Sequence, residues 1–455
     1  MMNKKIPNVL FPVVCFIACV FVMAIPPAPA QEAEQPLICA GIYDAIVTLN
    51  EPRFDTPAIW RALEGDEYGF DQFRDATIGP DDILVGAGVT STQDNQALSP
   101  YLMAFSLDGQ TAWQARQDTS DIRSFENIVH LDEGYFAAGN IEDETTRYNG
   151  IYIAKFSETG QQLLDNTFFN KTYHYTATGL AVSPDGEGVS VLGWAKNPKD
   201  VTDRHSFLLQ LDKDGKLIRK RNYQPGPNNK LVSLSTLADG TFIATGWIMQ
   251  ESGRKAGWVV RMGDTGYLMW QRSYRRGKDA VLYNATSHPG DGFVVVGESD
   301  PYEAVTDNDN KGGWAMHITS MGEPVWQRFW RGRYDLSGRD VTVFNSNQIQ
   351  ALVQASTVDA GKRSHAKILS LTLRGQLIEE EAFMEGGNTI ALRLLKASGN
   401  RRALAGYAQT VFSIAGGESQ TDTDIFDAWL LLANAPEPFT DPCSPDADNG
   451  QNRPL

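Results

Sequence analysis

The chain is poor in the residues that most often build reactive centres. Of 455 residues, 6 are histidine and 4 are cysteine, and the histidines are scattered. That leaves no zinc site legible in the sequence, because zinc ligands recur at short fixed spacings. No G-x-S-x-G elbow, H-E-x-x-H helix or phosphate-binding P-loop occurs, so the local signatures of those chemistries are missing. Cations are in deficit: 40 Lys and Arg against 56 Asp and Glu give a net charge of −16, which disfavours non-specific binding to nucleic acid or an anionic membrane. Helical periodicity is absent beyond the first thirty residues. What the chain has in quantity is glycine, 41 residues, with 10% aromatics, a composition that favours many short strands and turns.

The one long apolar run lies at the start. Lys4 and Lys5 precede an apolar stretch from Ile6 to Ile25, and Pro26-Pro27-Ala28-Pro29-Ala30 closes it with an A-x-A end. This order describes a secretory signal cleaved after Ala30, which puts the protein in the periplasm or outside the cell with a charge of about −18. The run also has the length of a bilayer span, so an uncleaved anchor is the alternative; otherwise no membrane insertion is expected. A lipid on Cys19 is disfavoured by the apolar residues after it. Cys15 and Cys19 fall within the signal, leaving Cys39 and Cys443 as either a disulfide or two unpaired thiols.

An apolar strand ending in glycine recurs along the rest of the chain, as in Ile83–Gly88, Tyr135–Gly139, Val189–Gly193, Phe242–Gly246, Phe293–Gly297 and Arg402–Gly406. Ala351-Leu352-Val353-Gln354 breaks the glycine in the sixth copy. The period is 53 residues, and seven copies fill the chain from Phe70 to Ala435. Turns such as Asp185-Gly186 and Asp239-Gly240 precede the strand, and a second set, including Asp108-Gly109 and Thr265-Gly266, follows it. Each copy therefore reads as four antiparallel strands, A to D, with tight A–B and C–D turns. Units of this length match an all-β, seven-bladed β-propeller. A β-solenoid has shorter repeats, and a sandwich does not account for seven equal copies.

Trp113, Trp270 and Trp326 follow the second turn glycine at a fixed spacing. This resembles the repeats of secreted bacterial β-propellers, including the tryptophan-docking motif of quinoprotein-like propellers. The resemblance implies tryptophans packed between blades. Quinoprotein dehydrogenases carry an adjacent cysteine pair over the cofactor; this chain has none, so no quinone is implied and no cofactor is expected.

The seventh copy supplies strand C, Asp427–Leu432, and then lacks strand D. Ile59-Trp60-Arg61-Ala62-Leu63-Glu64-Gly65 resembles Val325–Gly332, so the N-terminal segment is expected to complete the last blade. That closure brings the chain ends together and favours a Cys39–Cys443 disulfide. The resulting division is a signal over 1–30, an N-terminal segment over 31–58, the propeller over 59–435 and a tail over 436–455. Tyr43–Leu49 also reads as a strand, without an assigned partner.

The long connections, D to A and B to C, all share one face, where a rigid scaffold carries its binding residues. The candidate ligand face is a cationic and aromatic set in blades four and five: Arg275, Arg276, Lys278, Trp330, Arg331, Arg333, Tyr334 and Arg339. Arginine forks suit a carboxylate, a phosphate or an acidic sugar; salt bridges to Asp279, Asp335 and Asp340 are the bland alternative. Asp307–Gly312 resembles the start of a calcium loop but has lysine at a ligand position, and Thr421–Asp427 is likewise read as solvated, so no metal is expected. His174 and His205 have no identifiable catalytic partner and read as surface or loop residues. These features point to an exported, non-enzymatic binding or scaffold propeller that engages a protein or glycan partner in the cell envelope. The alternatives are a propeller enzyme, such as a polysaccharide lyase or glycosidase, and assembly into an envelope complex.

Overall fold

The computed structural model describes residues 43–65, 70–91, 98–117, 122–132, 134–143, 145–226, 228–300, 310–357, 363–409, 412–413, 419–420 and 426–439. The signal, Cys39, Cys443 and most of the two oxygen-rich loops lie outside these residues, as do the bounds at 30 and 31. Two strands come first, β1 (Asp44–Thr48) and β2 (Trp60–Glu64). Blade 1 is β3 (Gln72–Ile78), β4 (Leu84–Ser91), β5 (Leu98–Phe105) and β6 (Thr111–Arg116). Blade 2 is β7 (Ile122–Leu131), β8 (Gly134–Glu142), β9 (Asn149–Ser157) and β10 (Gln162–Phe168). Blade 3 is β11 (His174–Val182), β12 (Gly188–Lys196), β13 (Arg204–Asp212) and β14 (Leu217–Tyr223). Blade 4 is β15 (Asn229–Thr236), β16 (Phe242–Met249), β17 (Lys255–Met262) and β18 (Leu268–Tyr274). Blade 5 is β19 (Ala280–Ser287), β20 (Phe293–Ser299), β21 (Gly312–Ile318) and β22 (Pro324–Arg331). Blade 6 is β23 (Asp335–Phe344), β24 (Gln348–Ser356), β25 (His365–Thr372) and β26 (Leu377–Phe383). Blade 7 opens with β27 (Thr389–Ala397) and β28 (Arg401–Gln409); after a small hairpin of β29 (Phe412–Ser413) and β30 (Ser419–Gln420) comes β31 (Phe426–Asn434).

The ring is a seven-bladed β-propeller of antiparallel four-stranded blades, and its last blade is completed from the N-terminus: β2 pairs with β31, Trp60 opposite Leu432 and Glu64 opposite Ala428. The unassigned strand at 43–49 has a different fate. As β1 it lies parallel to β22, Asp44 opposite Gln327 and Thr48 opposite Arg331, and gives blade 5 a fifth strand. Among the described residues no helix is long and apolar enough to cross a membrane.

Buried apolar side chains form clusters between neighbouring blades. Leu430 and Leu432 of blade 7 meet Phe73 and Leu84 of blade 1, and Val294 and Val296 of blade 5 meet Ile349 and Ala351 of blade 6. Each such fully buried side chain contributes about 1.5–3 kcal/mol. Strand-D tryptophans extend these interfaces. The indole N–H of Trp60 donates to Leu107 O (2.8 Å), that of Trp270 to Ser320 O (3.0 Å) and that of Trp326 to Leu373 O (3.0 Å). Each packs under the C–D turn of the next blade, where Gly109, Gly322 and Gly375 hold φ of 75–84° and a Cβ would strike the indole. Trp60 thus closes the ring with the same dock that joins blade 4 to blade 5 and blade 5 to blade 6.

The recurring strand-B glycine has a second cause. Every strand A contains a β-bulge, and the bulged backbone presses on strand B: a Cβ on Gly88, Gly246, Gly297 or Gly406 would lie within about 2 Å of a strand-A carbonyl oxygen. In the sixth blade Val353 takes this position, opposite Gly338, so the pair keeps a glycine on the other strand.

Candidate functional site

Strand A of each blade faces the central channel, and its bulge decides which side chains enter it. The register shifts lie at Phe73/Asp75, Phe125/Asn127, Ala177/Gly179, Leu231/Ser233, Leu282/Asn284, Gly338/Asp340 and Ala391/Arg393. The bulged residues are therefore Arg74, Glu126, Thr178, Val232, Tyr283, Arg339 and Leu392. They fall in the first part of each strand, toward the D-to-A connections. A cavity of about 210 Å³ is lined there by Arg74, Asp75, Tyr283, Asn284, Arg339 and Arg393, among others.

Two kinds of charge meet in this cavity. The residues just after the bulge are tied to one another. Arg393 Nε lies 2.6 Å from Asp75 Oδ1, and its Nη1 is 3.6 Å from Asp340 Oδ2. Asp75 also accepts from the amides of Ala76 (2.8 Å) and Ile128 (3.0 Å), the latter in blade 2. Asp340 accepts from the amides of Val341 and Leu394, both at 2.8 Å, and from the Asn284 side chain. Burial raises the Asp75 carboxyl above its ordinary value, while Arg393 and the two amides pull it down and Asp340 adds repulsion. This chain of contacts links blades 5, 6, 7, 1 and 2 across the closure, so it holds the ring.

Arg74 and Arg339, on the bulges themselves, have no such ion pair among the described residues. Both are half-buried, and the Nε of each is buried with no hydrogen-bond partner among the described residues. Arg339 lies over the Tyr283 ring at 4.5 Å and Arg74 over Tyr407 at 6.0 Å. Two planar donor forks beside aromatic faces can receive a carboxylate or phosphate, or hold an acidic sugar whose ring packs on a tyrosine.

Of the eight residues singled out from the sequence, Arg339 alone lies in this cavity. Trp330 is fully buried in the core between blades 5 and 6. Arg276 Nη1 meets both oxygens of Asp44 at 2.8 Å and stacks on Phe329; Arg331 reaches Thr48 (3.3 Å) and Arg333 reaches Glu51 (3.2 Å). These three arginines hold β1 and the segment after it. Arg275 bonds Gln250, the Lys278 amide donates to Asp300 O (3.0 Å), and Tyr334 meets His365 edge-on at 4.8 Å. Asp340 serves Arg393, not the cationic set. Sequence reading missed Arg74, Asp75 and Arg393, although a signal existed: the bulged residue precedes the strand-B glycine position by 13 to 15 residues in every copy.

A second polar group occupies the seam between blades 7 and 1. Glu64 ends β2, Asp71 precedes β3 and Asp427 lies in β31. Asp427 and Asp71 carboxylate oxygens both approach Gly65, within 2.1 and 2.9 Å of where its Cβ would stand. Burial, with Asp71 and Glu64 as negative neighbours, pushes Asp427 up to about 6. The Tyr101 hydroxyl is buried beside these acids without a hydrogen-bond partner among the described residues, and burial raises it well above its usual value. The histidines also differ from expectation. His205 is a buried strand residue, not a loop one, and burial lowers its pKa. His174 begins β11, accepts from the Asn149 amide (3.0 Å) and stacks on Tyr148. His288 and His317, far apart in sequence, stack at 3.8 Å. Among the described residues no group of three or more His, Cys, Asp or Glu side chains is placed to hold a metal ion.

No family model matches the chain. No curated protein matches it either. Solved structures similar in fold include the β-propeller domain of the trilobed protease from Pyrococcus furiosus, described as having an open velcro topology (9% identity, 80% of this chain and 93% of that one, TM-score 0.42). Others are puromycin hydrolase (11%, 74% and 50%, TM-score 0.44) and a Hadza microbial sialidase (8%, 85% and 99%, TM-score 0.43). This chain spans half the length of the puromycin hydrolase chain. At these identities the likeness concerns fold alone.

Proposed function

We propose that this is an exported binding or scaffold propeller that engages a protein or glycan partner of the cell envelope through its long-loop face, with the channel mouth as the anchor. The observation that carries this reading is the contrast at the mouth. Arg393 is ion-paired with two aspartates, while Arg74 and Arg339 on either side have no carboxylate ion pair among the described residues and each keeps a buried Nε without a hydrogen-bond partner there. An unmet charged donor is costly, and a ligand carboxylate or phosphate would meet it. Of the candidate ligand face, Arg339 enters this proposal directly, and the cations that hold β1 support the scaffold around it. The likeness to secreted quinoprotein-like propellers is read as architectural, supported by the tryptophan docks, with no cofactor. The test is a pull-down of mature protein from its own envelope fraction, followed by a glycan array, with wild type beside Arg74→Ala/Arg339→Ala. The partner should be lost with the double variant; its undiminished recovery would sink the reading.

One observation favours an enzyme as a second reading. Asp427, held near 6 beside two carboxylates and a buried tyrosine, has the environment of a general acid, as a glycosidase or lyase requires. Incubation with acidic and neutral polysaccharides should then release products, and Asp427→Asn should abolish the release. Equal turnover in that variant would remove Asp427 from the chemistry.

A further inference from the structure

The segment between β1 and β2 crosses the outer edge of blade 6 without pairing to it. β26 is the outermost strand of that blade, and β25 is the strand it pairs with. The crossing segment is held near its start: the Asn50 amide and side chain donate to Glu380 (3.0–3.3 Å), Lys367 Nζ donates to Asn50 O (2.7 Å) and Glu380 (3.2 Å), and Glu51 meets Arg333 (3.2 Å). Phe54 then meets His365 of β25 edge-on at 5.3 Å. Between the segment and β26 lies a cleft of about 830 Å³, with residues 50–55 on one side and Leu377–Ala382 on the other.

We infer that this cleft receives an extended, basic peptide segment of a partner protein, which adds to β26 as a further strand. Three features of the molecule support the inference. First, the fold already accepts such an addition one blade away, where β1 lies parallel on the outer edge of β22. Second, an edge strand directs the N–H and C=O groups of alternate residues outward, and these bind another extended chain. Third, the walls carry Glu51, Asp55, Glu379, Glu380 and Glu381 against Arg53 and Lys367, an excess of acid. Asp55 and Glu379 are exposed, Glu51 is exposed beside Arg333, and Glu381 pairs with Arg402 through Oε1 while its Oε2 is buried without a hydrogen-bond partner among the described residues. That charge selects lysine or arginine at the peptide's alternate positions. It also disfavours the chain's own ends, since 31–42 carries Glu32 and Glu34, and 440–455 carries three aspartates and one arginine. The cleft lies on the outer rim, so the inference is independent of the channel-mouth proposal.

The test uses mature full-length protein and a labelled ten-residue peptide alternating lysine and valine, with fluorescence anisotropy as the readout. Control peptides alternate glutamate and valine, or place proline at every third position. The basic peptide should bind, and the proline peptide should bind at least about tenfold more weakly because it cannot complete the strand ladder. Glu379→Lys/Asp55→Lys, at two exposed positions, should weaken the basic peptide about tenfold and admit the glutamate peptide. Hydrogen exchange should show new protection in 377–383. Equal binding of the basic and proline peptides, or protection elsewhere without protection in β26, would overturn the inference. So would undiminished affinity in the double variant.

Discussion

Arg74, Arg339 and Arg393 come from three consecutive blades and point into one cavity, yet they differ by a single residue in register. Arg74 and Arg339 occupy the bulge of their inner strands, whereas Arg393 is the residue after it. One step along a strand redirects a side chain. Here the step separates a guanidinium ion-paired with Asp75 and Asp340 from two that have no carboxylate ion pair among the described residues. The lesson is that charge at a channel mouth is not one property. At Arg393 the residue after the bulge ties blades together, and at Arg74 and Arg339 the bulged residue is the one proposed to meet a ligand.

The largest effect that distinguishes the two positions should come from Arg393→Met. It leaves Asp75 and Asp340 buried without their cation, and chemical denaturation should report a loss of about 3 kcal/mol, the lower end for a broken buried pair because the arginine is partly exposed. A loss below about 0.5 kcal/mol would remove the structural role. Trp60→Ala tests the closure that this pairing spans. Losing the Leu107 bond and the dock on Gly109 should cost about 2–4 kcal/mol, much as Trp326→Ala should at an internal interface; a near-neutral Trp60→Ala would mean that β2 does not carry the seam.

Acid should weaken the fold at its buried histidines. Burial lowers His365 to about 4, against an ordinary value near 6.5. Its contribution is intact above about pH 6.5 and is lost as pH falls toward 4, because the unfolded state takes up the proton first. His288 and His317 shift in the same direction, also through burial. Asp427 has the opposite sign: raised to about 6, its contribution is present below about pH 3.8 and lost as pH rises through 6. The variant His365→Gln should therefore flatten the stability–pH slope between 6.5 and 4 by close to one proton, measured by urea unfolding at several pH values. An unchanged slope would place the titration elsewhere. The smallest stability effect should be that of Arg74→Ala or Arg339→Ala, within about 0.5 kcal/mol each; a loss as large as that of Arg393→Met would erase the distinction between the two positions.

Much of the architecture is legible in the sequence because it repeats. The 53-residue period, the turn glycines and the match between 59–65 and 325–332 lead to seven blades and a last blade completed by β2. The candidate site was far less legible. Arg276, Arg331 and Arg333 stand at or just after the end of strand D of blades 4 and 5, but their partners are Asp44, Thr48 and Glu51, more than 200 residues away. Tyr43–Leu49 reads as a strand by pattern, yet a parallel pairing on the rim of blade 5 leaves no local signature. His288 and His317 look unrelated until the turn after β19 and strand β21 bring their rings together.

The amino-acid sequence by itself determined the repeat, its strand-and-turn grammar and the scarcity of reactive side chains, because each is a local property of spacing and composition. The tertiary structure alone decided which charges are spent and which are available. That depends on one-residue bulges and on contacts between blades, and neither is written in the neighbourhood of the residues it governs.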